Sequence, residues 1–439
     1  MRAASSASPR AGSVSDGTTG ETPVPLLRCL RFRLVRRGLP FLVLLGVTAG
    51  AGLLFCPQLR AWYHLRAARV ESQRYHTAQA IRHLHICRDI WPRDAEVLLL
   101  AARAARRAQV YDDTERLLSM YREVRGSDDA FALEHLLLAA ERRVDQVSEL
   151  CWSYLEKGDA DAGLLLEALT RGYLRQYRYG EARLCLDRWK QLQPDNPQAF
   201  YLEGLFLLDH LHSMSSAADS CRRALELDPD HEEARLGLAV ALLQGKSFAQ
   251  AAQHFEHLRQ RQPDNLRVQV GLAECRDGLG QTAEAIQLVQ DVLSRQPHFA
   301  AALSLRGQFA VTNGQMAEAE SNLRQALRFN PMDHRARFSL IFCLEQSGQE
   351  EAAKRQRQQL QQMEDDVARF NEIITKEIAQ RPTDPALHCT LGQLLLRGGQ
   401  QAEGLRWLQS ALRLDPNYAP ARQAVQDYQK TAQRPDSSQ

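Results

Sequence analysis

Residues 232–265 read EEARLGLAVALLQGKSFAQAAQHFEHLRQRQPDN. Two amphipathic runs with apolar residues at three- and four-residue spacing flank Gly245-Lys246-Ser247, and Pro263-Asp264-Asn265 ends the second. That is the pattern of helix, turn, helix and stop. Prolines at 194, 229, 263, 297 and 331, spaced by 35, 34, 34 and 34 residues, repeat the stop. They stand in LQPDN, LDPDH, RQPDN, RQPHF and FNPMD. Proline ends one helix, and the Asp or Asn after it is placed to cap the next.

Two further rows share this register. Twelve residues before each of these prolines stand Ala182, Ala217, Ala251, Ala285 and Ala319. The row extends back through Ser148, Thr114 and Ala80, and forward through Ala353 to Gly404. Small residues are needed where the two antiparallel helices of a hairpin cross closely. Gly245, Gly280, Gly314, Gly348 and Gly399 mark the turn inside each hairpin. Glycine there ends a helix in the left-handed conformation without side-chain strain. Units before residue 194 lack this glycine, and Gly126 and Ala160 stand in place of proline.

A 34-residue helix–turn–helix with these rows resembles the tetratricopeptide repeat family. QAFYLEGLFLL with AADSCRRALELDPD, the opening stretch, and LHCTLGQLLLRGGQQAEGLRWLQSALRLDPN carry the match. Ten units follow, over 59–92, 93–126, 127–160, 161–194, 195–229, 230–263, 264–297, 298–331, 332–365 and 383–416. Residues 59–194 are degenerate repeats and 195–365 well-matched ones; 366–382 is an extra helical half-repeat without proline or glycine up to Gln380. Residues 383–430 hold a last repeat and a capping helix, while 1–38 and 431–439 read as disordered tails.

Leu39 to Cys56 (LPFLVLLGVTAGAGLLFC) is uncharged. Its 18 residues reach about 27 Å as a helix, close to the hydrocarbon thickness of a bilayer. It reads as a transmembrane helix, with Trp62 and Tyr63 as interfacial anchors and Gly46 and Gly50 as a close-approach pair for a homodimer. Arg36 and Arg37 abut the run and place the N-terminus in the cytoplasm, with the repeats on the opposite side. A cleaved signal peptide is the rival reading, against a 38-residue leader and an apolar run continuing past Ala51. The expected class is therefore all-α: a right-handed superhelical solenoid of helix–turn–helix repeats preceded by one transmembrane helix.

Charge and motif narrow the function. Of 55 basic and 53 acidic residues, seven arginines against Asp16 and Glu21 lie in residues 1–38, leaving the remainder at −3. A nucleic-acid binder carries a basic body, so nucleic acid is not an expected partner. Nine cysteines stand without any Cys-x-x-Cys pair, which argues against zinc ribbons and disulfide scaffolds. Gly245-Lys246-Ser247 ends like a P-loop, but Val240 occupies the first glycine position. His254 and His257 share a helix face without an evident third metal ligand, and His83 and His85 diverge. No metal, cofactor or catalytic set is expected, and an enzyme is not.

The resemblance implies a binding surface on the first helix of each unit, without a deep central pocket. Its inward positions are Glu96, Leu99, Arg103, Glu167, Arg171, Tyr201, Arg267, Val270, Glu274, Arg335, Phe338 and Phe342. Family members that grip the C-terminal carboxylate of chaperones use lysines and asparagines there; none of these positions is either. The site expected to hold partners is Tyr201, Arg267, Val270, Glu274, Arg335, Phe338 and Phe342, with Phe338, Phe342 and Arg335 as an apolar and cationic patch. The function so implied is a membrane-anchored scaffold binding protein or peptide segments for complex assembly. A signal-cleaved secreted or periplasmic adaptor and a noncatalytic regulatory subunit are the alternatives.

Overall fold

The computed structural model describes residues 57–158 and 161–432, and every regular element among them is helical. The chain divides into two compact units, Met1–His64 and Leu65–Gln439, and the second holds the repeats. Helix α1 covers residues 57–73, and α2 covers Thr77–Ile90. Hairpins follow as α3 (Ala95–Arg107) with α4 (Tyr111–Arg125) and α5 (Asp129–Arg142) with α6 (Val144–Glu156). Next come α7 (Ala162–Arg175) with α8 (Tyr179–Leu192) and α9 (Pro197–Asp209) with α10 (Met214–Leu227). The regular central part pairs α11 (Glu232–Gln244) with α12 (Phe248–Arg261), and α13 (Leu266–Gly278) with α14 (Thr282–Arg295). It continues as α15 (Ala300–Thr312) with α16 (Met316–Phe329).

Helix α17 (His334–Gln346) pairs with the longer α18 (Glu350–Glu372). A π-helical turn, Ile373–Glu377, joins α18 to the short α19 (Ile378–Gln380). Ile373 and Ile374 of that turn are buried against Leu387, Leu391 and Leu394. Helices α20 (Pro385–Arg397) and α21 (Gln401–Leu414) form the last hairpin, and α22 (Ala419–Ala432) packs against it.

The cap row lies two residues after each boundary proline. Asp94, Asn196, Asn265, Asp333 and Asp384 accept a backbone N–H from the first turn of the following helix. Each such cap stabilises its helix by about 1 kcal/mol. His231 does the same through Nδ1, while Phe299 has no capping group.

Burial of the small-residue row explains the hairpin crossing. Ala182, Ala251, Ala285, Ala319 and Ala353 are fully buried. Across from the row lie other small residues: a Cβ on Gly392 would stand 2.9 Å from the Gly404 carbonyl, and one on Gly307 2.6 Å from Leu323. Ser148 is only half-buried. The third hairpin turns over the single residue Arg143, and its close contact is instead between the Ala140 carbonyl and Gly172 of α7.

The membrane placement needs correction. No helix among the described residues is long and apolar enough to cross a membrane. The ordinary repeat helices have 13–15 residues and span about 20–22 Å. The longest, α18, has 23 residues but is rich in Glu, Arg and Gln. The run 39–56 and the Gly46/Gly50 pair lie outside the described residues, as do 1–38 and 433–439. A single-pass localisation and a dimer through that pair are therefore not upheld.

Candidate functional site

The inner face divides into a filled part and an open part. In the filled part, α3 carries Arg103, Arg106 and Arg107, α5 carries Glu134 and Glu141, and α7 carries Glu167 and Arg171. Arg103 pairs with Glu134, and Arg106 with both Glu134 and Glu141. Arg107 Nε donates to Glu167 at 3.2 Å, and its Nη1 donates to the Ser72 carbonyl at 2.7 Å. Arg171 donates to Glu167 and to the Arg107 carbonyl, each at 3.4 Å. Gln198 of α9 donates to Glu167 at 3.3 Å and meets His231 at 3.1 Å.

Charge in a desolvated site is tolerated only when paired. Glu141 shows the strain: burial pushes its carboxyl up, against the pull of Arg106 and Arg171. For Glu167 burial also opposes ionisation, but Arg107, Arg171 and Arg106 outweigh it and hold the carboxyl below its usual range. Arg103, Glu167, Arg171 and Tyr201 thus serve the interior. Tyr201 packs 5.1 Å from the His231 ring, and burial drives its phenol pKa up. An open groove running through these positions is not what the structure shows. Side chains of opposite sign on successive first helices have met and closed it.

Distant hairpins complete the filling. His76 lies between Glu71 at 2.6 Å and Asp228 at 2.8 Å, joining the first hairpin to the α10–α11 boundary. Tyr75 stacks beneath the Arg107 guanidinium and packs edge-on against Trp189. Arg175 Nη2 donates to Glu403 at 2.9 Å, and Tyr177 donates to Gln400 at 2.7 Å. The Tyr177 ring also meets Phe370 of α18 edge-on at 4.9 Å.

The open part lies on α13, α15 and α17. Arg335 Nη1 reaches back over α15 to Glu274 Oε2 at 2.8 Å. Burial raises the Glu274 carboxyl pKa despite that partner. Arg267 is exposed. Val270 is only 4% exposed and belongs to the core, so it offers no surface. Phe338 and Phe342 are 67% and 42% exposed, one helical turn apart, beside the Arg335–Glu274 bridge. They do not pack against the next helix as core aromatics do. Glu96 pairs with Arg69 on the exposed surface, and Leu99 is half-buried.

The other motifs resolve as parts of hairpins. Gly245-Lys246-Ser247 is the α11–α12 turn, where Lys246 rather than Gly245 takes the left-handed backbone, with φ 61°. His254 and His257 are half-buried, and burial lowers both pKa values. No group of three His, Cys, Asp or Glu able to hold a metal occurs among the described residues. The seven described cysteines are buried and none is in a disulfide; burial drives the Cys185 thiol up to about 12.

Two tetratricopeptide-repeat family models match the chain, over residues 214–265 and 242–309. No curated protein matches. Among solved structures, the type IV pilus biogenesis factor PilW is 19% identical, covers 46% of this chain and 94% of its own, and has a TM-score of 0.40. A tetratricopeptide repeat protein from Parabacteroides merdae is 14% identical over 65% of this chain and 99% of its own, with a TM-score of 0.36. A double mutant of MamA is 21% identical over 39% and 95%, with a TM-score of 0.35. Residues 214–309 thus match tetratricopeptide repeats, and the described residues form an all-helical repeat solenoid.

Proposed function

We propose that the repeat unit is a noncatalytic scaffold that binds protein or peptide segments across the open face of α13, α15 and α17. Tetratricopeptide-repeat proteins generally mediate protein–protein interaction and assembly. One observation carries the assignment to this face: Phe338 and Phe342 stay exposed at one-turn spacing while the neighbouring inner face is filled. Aromatic residues, phenylalanine among them, and arginine are enriched at protein interfaces relative to the rest of the surface. Ser304 and Gln308 of α15 occupy the equivalent positions one repeat earlier, joined by a 3.2 Å hydrogen bond. Ser304 is only 4% exposed, so half-buried Gln308 is the polar group that this position offers to a bound backbone.

The test is recovery of partners by the full chain and by the double variant Phe338→Ala, Phe342→Ala, read by mass spectrometry. Both side chains are exposed, so their removal should alter stability by no more than about 0.5 kcal/mol. Loss of specific polypeptides with unchanged helicity supports the assignment. Equal recovery by both proteins retires the face.

A further inference from the structure

The last hairpin, the α7–α8 turn, the end of α9 and helix α18 enclose a cleft of about 480 Å³. Such a volume is that of a small-molecule site. None of its lining residues belongs to the open face of α13, α15 and α17. Tyr177 of the α7–α8 turn, Tyr179 at the start of α8 and Phe370 of α18 stand among its walls. The Tyr177 ring makes a corner with each of the other two: it meets Phe370 at 4.9 Å and 80°, and Tyr179 at 6.3 Å and 75°. Met332 and Met363 add polarisable sulfur to the lining.

Elsewhere in the chain such rings already carry a cation. Arg107 stacks on Tyr75, Arg175 on Tyr111, Arg178 on Tyr173 and Arg223 on Phe200. Among the described residues no guanidinium or ammonium stacks on Tyr177, Tyr179 or Phe370. No Lys or Arg lines the cleft either.

Its two carboxylates are Asp209 and Asp366. Arg397 holds Asp366 through hydrogen bonds of 2.7 and 2.8 Å. Asp209 has no hydrogen bond or ion pair to another described side chain; the protein crowded around its carboxyl raises the pKa, opposed only by the exposed His212. It is also the last residue of α9, the end of a helix at which negative charge is disfavoured. His210 Nδ1 lies 3.2 Å from the Tyr179 hydroxyl, and burial lowers the His210 pKa, so this imidazole brings no positive charge near neutral pH. One carboxylate therefore stays without a partner beside three aromatic rings. Ring faces and carboxylates both attract a cation, and quaternary ammonium groups are the ligands that aromatic enclosures recognise. We propose that this cleft binds a small quaternary ammonium compound, its methyl groups against Tyr177, Tyr179 and Phe370 and its charge facing Asp209.

Titration calorimetry of the full chain at pH 8 with choline, its uncharged tert-butyl analogue and ammonium chloride tests the site. Choline should bind saturably at one site per chain, and the other two should not. Asp209→Asn should weaken choline about tenfold. The same change should not lower the melting temperature, because it removes charge from a helix C-terminus. Phe370→Leu keeps an apolar side chain but removes a ring, and should weaken choline by a similar factor. The proposal is overturned by no saturable choline binding to the unaltered chain, by equal binding of the uncharged analogue or of ammonium, or by unchanged affinity in either variant.

Discussion

Left-handed backbone recurs at the hairpin turns, and the residue standing there changes along the chain. Gly280, Gly314, Gly348 and Gly399 take it in the later units, and Tyr75, Gln109, Tyr177, His212 and Lys246 in the earlier ones. A side chain in this conformation costs about 1–2 kcal/mol. Lys246 is exposed, so Lys246→Gly should raise stability by about 0.5–1 kcal/mol, read as a higher urea midpoint. Tyr177→Gly should do the reverse, because the ring holds Phe370 and the hydroxyl holds Gln400. His388 offers a pH test at the same scale. Burial, then Arg413, lowers its pKa, while Pro382 and Ser410 bind its two nitrogens. With the folded value below the unfolded ~6.5, its contribution is present above that value and lost as pH falls through the folded pKa. His388→Asn should therefore lose less melting temperature than the unaltered chain between pH 7.5 and pH 5.

For a helical hairpin, the crossing point sets what the sequence tolerates. Ala285 is fully buried between α14 and its neighbours, inside a continuous core cluster. Ala285→Trp should force the pair apart and cost at least ~1–3 kcal/mol, seen as a lower thermal midpoint. Gly392 is as demanding, because the Gly404 carbonyl sits 2.9 Å from where its Cβ would be. The row containing Ala285 was readable from its period. Its partners on the first helices were harder to see, since Ile341 stands in register with Gly307 and Gly392 and interrupts them.

Across the repeat unit as a whole, contacts between hairpins more than 200 residues apart decide which surfaces remain open. Arg175 and Glu403 are 228 positions apart and each less than one-third exposed at the side chain. A double-mutant cycle on Arg175→Ala and Glu403→Ala should give a coupling of about 0.5–3 kcal/mol in denaturant unfolding. Additive losses would mean that the two residues act independently and that this contact does not join the hairpins.

Proline period, cap residues and the small row were legible because each is enforced locally, by the geometry of one hairpin and its neighbour. From them follow the helices, their order and the all-helical class. The inner face was legible only in part. Phe338 and Phe342 emerged on the surface, but Val270 joined the core and Arg103, Glu167, Arg171 and Tyr201 became interior partners. A single repeat cannot reveal that outcome, because whether a charged side chain faces water or an opposite charge depends on how far successive hairpins rotate. Only the tertiary structure adds those rotations together, and it alone brings Tyr177 against Phe370 and Arg175 against Glu403.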